Sequence, residues 1–381
     1  MGKKSYKKRQ SKSLEDRRKE QKEALKLATQ DGKQKPKVTA DSCVSVDRLL
    51  DKTEQLVDEF NYELAQKFCQ RALEIEPDNV RALETSASLL LELGNTDSAK
   101  HCLGRAVEVC PESGFTKYLT LGQLMEGAAA VQCYQKGIEL MLKEKQEKEA
   151  LEVAAACSAN RQVTDRDISS AFCAIAEIYL TDCCFDESAE EKCKEFVDKA
   201  IAADVENPEA LQLKANFLLS KDEKEDAKDL IKKSVALWLP KLQSADTQNA
   251  AEEDFDPVEL CSIPFTTRVQ CAKILIEVEE YEMATDVSET LLDEDDEVPD
   301  VWYLIGWANY LQGQDYYGNA RHYLQKAKEV YLKVKYQDAA LLGHINELLT
   351  ELGPGDPLDT EDAAKEAGDI EIESSEDEMD Q

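Results

Sequence analysis

The sequence predicts an all-α fold built from repeated helical hairpins. Only 10 prolines and 15 glycines interrupt the 381 residues, and such a composition is typical of long helices rather than of many-stranded sheets. An ordered pattern of small, bulky and proline residues also recurs after 34 residues. Because a fixed period of this length marks a repeat array, we expect an elongated stack of helices rather than a single central core.

The recurring pattern lies in the second helix of each predicted hairpin. Its members are Ala65, Cys69, Ala72 and Pro77 in one copy and Ala99, Leu103, Ala106 and Pro111 in the next. The small residues allow two antiparallel helices to approach closely, the bulky residue fills the gap between hairpins, and proline is expected to end the helix. This is the spacing of the tetratricopeptide repeat.

We count about seven hairpins in a tetratricopeptide-repeat superhelix. The hairpins that begin at Tyr118 and Phe172 depart from the template spacing, and the pattern before Pro240 repeats it well. A final helix over residues 336–352 is expected to cap the open end of the stack. Trp302 and Gly306 give the Trp-x-x-Leu-Gly-like opening of the last hairpin.

Charge divides the chain into three zones. Residues 1–37 carry 14 Lys or Arg against 5 acids, residues 38–349 carry 31 against 61, and residues 350–381 carry 1 against 13. We therefore predict a basic, partly disordered arm over 1–40, a repeat body over 41–352 and a disordered acidic tail over 353–381. An acidic body repels phosphate backbones and anionic lipids, so a basic protein is the expected partner rather than nucleic acid or a membrane.

The sequence contains no motif that indicates catalysis or a cofactor. There is no Gly-rich phosphate loop, no His-Glu-x-x-His and no Gly-x-Ser-x-Gly. The twelve cysteines include no Cys-x-x-Cys pair and the three histidines are scattered, so neither a metal site nor a disulfide framework is expected. Cysteines such as Cys69, Cys193 and Cys271 stand where helix packing requires a small apolar residue. We expect a binding protein without cofactor or metal.

The first helix of each hairpin should line the concave side of the superhelix. The positions projected onto that side are mostly acidic and end in an aromatic group: Asp47, Glu54, Asp58, Glu84, Glu92, Glu126, Glu177, Glu209, Glu277, Asp300, Tyr303, Trp307 and Tyr310. Carboxylates pair with Lys and Arg, and guanidinium planes stack on rings, so this groove predicts a Lys- and Arg-rich client segment. Part of the set is expected only to keep the stack soluble. Groove positions Leu50 and Glu54 argue against an adaptor that grips an acidic chaperone terminus.

The two tails each have a functional and a neutral interpretation. The basic run from Lys3 to Lys19 is typical of a nuclear localisation signal read by an import receptor, or of a solvated arm. Ser374 and Ser375 precede Glu376, Asp377 and Glu378, which is a pattern typical of acidophilic kinase acceptors in an otherwise solubilising tail.

Three segments together resemble one family. The start Met1–Ser5, the segment Leu73–Pro77 and the run Glu297–Trp307 are similar to the dedicated assembly chaperones of the fourth large-subunit ribosomal protein. The resemblance implies a non-enzymatic eukaryotic chaperone that captures this newly made basic protein, accompanies it from cytoplasm to nucleus and releases it onto the assembling large subunit. The alternative is a tetratricopeptide scaffold that holds a stable multiprotein complex.

Overall fold

The computed structural model describes residues 45–152, 163–248 and 263–354, which form fifteen α-helices without a β-strand. The helices are α1 Val46–Asp58, α2 Tyr62–Ile75, α3 Val80–Glu92, α4 Thr96–Val109, α5 Thr116–Leu124, α6 Gly127–Glu152, α7 Asp165–Leu180, α8 Ala189–Ala203, α9 Pro208–Leu219, α10 Lys224–Gln248, α11 Phe265–Glu277, α12 Tyr281–Glu294, α13 Pro299–Gln312, α14 Tyr317–Val334 and α15 Ala339–Leu352. The all-α prediction is confirmed. The predicted arm over 1–40, Ser374 and Ser375 lie outside the described residues.

The described chain divides into two compact units. The amino-terminal unit runs to residue 223 and contains α1 to α9, and the carboxy-terminal unit begins at residue 224 and contains α10 to α15. In the amino-terminal unit α1 packs on α2, α3 on α4, α5 on α6 and α7 on α8. In the carboxy-terminal unit α11 packs on α12 and α13 on α14. Consecutive helices thus pair as the repeat predicts.

The small-bulky-small residues form the centre of each pair. Ala65, Cys69 and Ala72 are buried in α2, and the equivalent residues of the other second helices are buried too: Ala99, Leu103, Ala106, Cys193, Val197, Ala200, Ala284, Ser288, Leu291, Ala320, Leu324 and Ala327. Close approach explains the small members. A Cβ added to Gly306 would lie 2.8 Å from Leu324 Cγ, so only glycine fits there without a shift.

Local signals fix where the helices begin. The side chains of Ser45, Asn79 and Asn95 accept hydrogen bonds from the first turns of α1, α3 and α4. Thr164 forms a capping box with Asp167 at the start of α7. Gly94 adopts φ +76° in the turn between α3 and α4, a conformation that glycine accepts without strain.

Pro240 does not end its helix, which corrects the prediction. It lies inside α10, which continues to Gln248. Proline removes one helical hydrogen bond, but Trp238, Leu239 and Leu242 are buried on either side of it. The burial of these three side chains stabilises the helix despite the lost hydrogen bond.

The last helix of the carboxy-terminal unit covers the final hairpin, as predicted. Ile345, Leu348 and Leu352 of α15 pack against Leu324 and its neighbours in α14. The helix begins at Ala339 rather than at 336, because the Asp338 side chain accepts hydrogen bonds from Ala340 and Leu341 and caps it there. Lys335 reverses the chain with φ +55° just before this cap.

Candidate binding surface

First helices of neighbouring hairpins contact one another directly in the amino-terminal unit. Arg81 Nη2 of α3 lies 3.0 Å from Asp51 Oδ1 and 2.7 Å from Glu54 Oε1 of α1. Ser170 Oγ of α7 donates to Glu209 Oε2 of α9 at 3.0 Å. Side chains that are far apart in sequence therefore share one surface, as the repeat predicts.

Glu54 is exposed but already has a cationic partner. Its hydrogen bond to Arg81, reinforced by Asp51, raises the pKa of the guanidinium above its ordinary value. Two carboxylates share this one arginine, so the group keeps a net negative charge. Leu50 is fully buried, so it is not the groove position that the sequence suggested, and Glu54 alone would repel an acidic peptide there.

Glu84 faces the protein interior in part. Its Oε1 is buried without a hydrogen-bond partner among the described residues, and burial raises its pKa while nearby Lys117 opposes that rise. The Lys117 side chain is itself buried, and its Nζ donates to the carbonyls of Cys110 and Ser113. The predicted binding residue Glu84 thus lies beside a buried cation rather than fully in solvent.

Glu177 and Glu209 are close enough to affect each other. Burial of part of its side chain raises the pKa of Glu177, and the charge of Glu209 raises it further. Glu177 still reaches solvent on α7, and Glu209 is half-buried on α9. Two carboxylates that repel one another form a local negative potential suited to a cationic group.

Four predicted acids lie at the end of a first helix rather than along its face. Asp58, Glu92 and Glu277 are the last residues of α1, α3 and α11, and Glu126 follows α5. All four are exposed. These acids therefore lie at one edge of the unit that holds them rather than along the concave face, where the sequence predicted them. Asp47 is exposed in the first turn of α1.

The predicted aromatic group is covered in part by α15. Tyr303 and Trp307 stack with centroids 5.8 Å apart, and His344 of α15 meets both rings edge-on. The Tyr303 hydroxyl lies 2.8 Å from His344 Nδ1, and the Tyr310 hydroxyl donates to Glu351 Oε2 at 2.6 Å. Burial, with the charge of Asp300, raises the pKa of Tyr303 to about 12. The rings are therefore half-buried contacts of the unit itself, not open faces as the sequence suggested.

Comparison with known proteins adds independent support for the repeat and the resemblance. A family model of the tetratricopeptide repeat matches residues 56–112. The "Probable assembly chaperone of rpl4" of Schizosaccharomyces pombe is 32% identical over 353 residues, which are 87% of this chain and 98% of that protein. The chain belongs to this assembly chaperone family.

Further members of the family agree with this assignment. The "Probable assembly chaperone of rpl4" of Emericella nidulans is 27% identical and covers 79% of this chain and 80% of its own length. The solved structure titled assembly chaperone of RpL4, residues 1–338, is 29% identical with a TM-score of 0.60 and covers 71% of this chain and 97% of its own. The resemblance drawn from Met1–Ser5, Leu73–Pro77 and Glu297–Trp307 is thereby confirmed.

Sequence reasoning missed one feature of this family member, the apolar side chains exposed at the turns. Phe60 and Phe185 are both largely exposed in turns between a first and a second helix. The repeat itself held a signal for the first of them. Phe60 stands 34 residues before Gly94, so it occupies a place that the next hairpin gives to glycine.

The described part of this assembly chaperone homologue has neither a cluster of metal-ligating side chains nor a helix of membrane-spanning character. In residues 45–152, 163–248 and 263–354, no group of three His, Cys, Asp or Glu side chains could hold a metal ion. Within the same ranges, no helix combines the length and apolar character that a membrane crossing requires. Burial raises the pKa of Cys69 and Cys193 to about 11 and that of Cys271 to about 12. These thiols are packing residues, as predicted.

Proposed function

We propose that the chain is a non-enzymatic chaperone for the fourth large-subunit ribosomal protein, which it binds through acidic side chains and hands to the assembling subunit. The observation that carries the proposal is the set of exposed carboxylates on, or directly after, the first helices of the amino-terminal unit: Asp47, Asp58, Glu92, Glu126 and Glu177. The relatives named for rpl4 supply the client's identity.

Electrostatics explains both capture and release. A ribosomal protein that binds RNA is rich in Lys and Arg, and pairing those cations with carboxylates keeps it soluble while it is unassembled. Pre-ribosomal RNA then offers a denser array of negative charge and draws the client away. The chaperone itself, with net charge −33, is not expected to keep a stable contact with the RNA.

The proposal includes a route between compartments. The chaperone would meet its client in the cytoplasm and accompany it to the nucleus, with the basic run of residues 3–19 read by an import receptor. The test is a fusion of residues 1–40 to a large reporter protein. If the fusion stayed in the cytoplasm, the import role of these residues would be wrong, and the rest of the proposal would be unaffected.

The test is direct binding of purified fourth large-subunit ribosomal protein to the full chain at several salt concentrations. Changing Asp47, Glu92 and Glu177 to their amides should weaken binding by about tenfold or more at low salt, because each removes a charge-assisted contact. Binding of the unaltered chain should weaken as salt rises, since exposed charges are screened within ~8 Å at physiological ionic strength.

A matched variant tests whether binding depends on the position of the carboxylates or only on their number. Changing Glu63, Glu147 and Glu191 to Gln also removes three negative charges, but from exposed positions on second helices of the same unit. Near-normal affinity is expected for it. Equal losses in both variants would show that only net charge matters, and salt-independent binding would contradict the proposal. A partner retained at constant ratio in every purification, with no ribosomal protein among the bound material, would favour a scaffold.

A further inference from the structure

One edge of the amino-terminal unit exposes a large apolar side chain at each of four consecutive turns. These turns join first to second helices, and we call the row they form the turn edge: Phe60 is 61% exposed, Leu93 43%, Met125 39% and Phe185 96%. Packed helices joined by short turns run antiparallel, so the first helices share a direction and these turns share one edge. Single exposed apolar residues are ordinary on protein surfaces, but a row of them marks a contact surface.

Carboxylates accompany every member of the row. They are Asp58 and Glu59 beside Phe60, Glu92 beside Leu93, Glu126 beside Met125, and Asp186 and Glu187 beside Phe185. All six are exposed, and none of them forms a salt bridge with a cation among the residues that the structure describes. The turn edge thus combines apolar groups with unneutralised negative charge.

The opposite edge of the same unit differs in its charge. It also exposes apolar residues, Ile75, Val109 and Val205, where second helices lead into first helices. Most of its carboxylates, however, are already paired with cations, although Glu76 and Glu206 are exposed and form no salt bridge among the described residues. Arg71 holds Glu74 at 2.7 Å, Arg105 holds Asp78 at 2.7 Å and Glu108 at 2.9 Å, and Arg166 holds Asp204 at 2.5 Å. The turn edge therefore leaves a larger share of its acids available to an external cation.

The backbone of Phe60 adopts a conformation that is unfavourable for a residue with a side chain. It adopts φ +56°, the left-handed conformation that Gly94 adopts at the equivalent place in the next hairpin. The turns match in their backbone bonds, since Phe60 N donates to Val57 O at 2.9 Å and Gly94 N donates to Leu91 O at 2.9 Å. A glycine would serve this turn without strain. The ring is largely exposed and makes one edge contact, with Tyr62 at a centroid distance of 6.4 Å. It therefore contributes little to the stability of the fold.

The Phe185 turn is held in a fixed shape. Cys183 N donates to Ile178 O at 2.8 Å, and Asp186 N donates to Cys183 O at 3.0 Å. A second link joins it to α6, because Asp182 Oδ2 accepts from Gly127 N at 3.2 Å. The ring is thus displayed by an ordered turn, which lowers the entropy lost on contact with a partner.

We propose that the turn edge, which shares Asp58, Glu92 and Glu126 with the acidic binding surface, also contacts bulky apolar side chains of the client's cationic segment. This inference rests on the proposed function and adds to it what charge alone does not supply, a preference for segments that mix cations with apolar residues. Neighbouring helices lie about 10 Å apart, and an extended chain advances about 3.3 Å per residue. The client segment should therefore present an apolar side chain at roughly every third residue, with Lys or Arg between.

The experiment compares two double variants of the full chain. Phe60→Asn with Phe185→Ser removes both rings of the turn edge, and asparagine tolerates the left-handed turn. Ile75→Ser with Val205→Ser removes two exposed apolar side chains from the opposite edge. Each is titrated with purified fourth large-subunit ribosomal protein over a range of salt concentrations, and the Tm of each is measured.

We expect the turn-edge variant to bind about tenfold more weakly at every salt concentration, because two anchors of the apolar contact are gone. The dependence on salt should keep its slope, since no charge has changed. Its Tm should be unchanged or raised, which separates loss of binding from loss of fold. The opposite-edge variant should bind as the unaltered chain does.

Two results would overturn the inference and leave the proposed function intact. One is unchanged binding by the turn-edge variant while the unaltered chain binds in a salt-dependent way. The other is an equal loss in both double variants, which would mean that any exposed apolar group contributes. Failure of the unaltered chain to bind the ribosomal protein would instead contradict the proposed function itself.

Discussion

The first helices of the two units use their outward faces differently. In the amino-terminal unit, Asp47, Glu92 and Glu177 leave carboxylates in solvent. In the carboxy-terminal unit, Tyr303 and Trp307 of α13 occupy comparable positions and are covered by His344 and its neighbours on α15. An exposed charge is stable in water, whereas a row of exposed rings favours association. The chain therefore covers its own rings and leaves its charges open to a partner.

The largest loss of stability is expected when the packing of α15 over Tyr303 and Trp307 is disrupted. Ile345 is fully buried in α15, so Ile345→Asp would bury an unpaired carboxylate and lower the free energy of unfolding by about 4 kcal/mol or more. All three tryptophans lie in the carboxy-terminal unit, two of them on α13. Urea unfolding followed by tryptophan emission would measure the loss, and the emission should shift to the red as the rings meet water.

The control for this change is Glu347→Ala on the same helix. Glu347 is exposed, so its replacement should alter the free energy of unfolding by no more than about 0.5 kcal/mol. If Ile345→Asp unfolded at the same urea concentration as this control, α15 would not be the cover described above.

A smaller effect is expected from one contact beneath the cover. Tyr303→Phe removes the hydroxyl that lies 2.8 Å from His344 Nδ1, at an expected cost of about 1 kcal/mol. The pKa of Tyr303 is raised from 10.0 to about 12, so the folded state keeps this proton while the unfolded chain loses it. Stability should fall as pH rises from 10 towards 12, and part of that fall should be absent in Tyr303→Phe. A series of urea titrations across this pH range measures both effects.

Arg81→Ala tests whether unpaired carboxylates of the amino-terminal unit attract the client. Exposed ion pairs contribute about 0–1 kcal/mol, so the stability of the fold should change little. The change frees Asp51 and Glu54 from their shared cation. Binding of the ribosomal protein should therefore strengthen about threefold at low salt and return to normal at high salt. A weaker complex at low salt would mean that the arginine itself contacts the client.

The smallest effect is expected at Glu177. Its pKa is raised from 4.5 by burial and by Glu209, so its ionised form is disfavoured in the folded state. Glu177→Gln should therefore stabilise the fold slightly at neutral pH. The gain should shrink as pH falls through the raised pKa and vanish below the ordinary value, where both states hold the proton. Thermal unfolding at neutral pH and at about pH 4 would reveal the difference, and a gain that grew in acid would contradict the assignment.

Patterns that depend on local spacing were predictable from the sequence. The burial of Ala65, Cys69 and Ala72, and of their counterparts 34 residues later, follows from the fixed rise and turn of an α-helix. The final helix was predictable for the same reason. Each depends on residues within a few positions of one another, so one sequence suffices to reveal it.

Contacts between distant residues were not predictable in this way. The cover over Tyr303 depends on His344, which lies 41 residues further along the chain. The end positions of Asp58, Glu92 and Glu126 depend on where each helix stops, and helix boundaries are poorly encoded by a repeat template. Pro240 was predicted to end a helix because the proline rule is local, whereas the burial of Trp238 and Leu242 around it is not.

The cysteines give a practical consequence. Of the nine that the structure describes, Cys184 is the exposed one, and it adjoins Phe185. Maleimide reacts with thiolate, and burial keeps thiols such as Cys69 and Cys271 protonated at neutral pH. With Cys43, Cys157 and Cys261 replaced by serine, a dye should attach first at Cys184. Its brightness or anisotropy would then report, in real time, whether the ribosomal protein has bound to or left the turn edge.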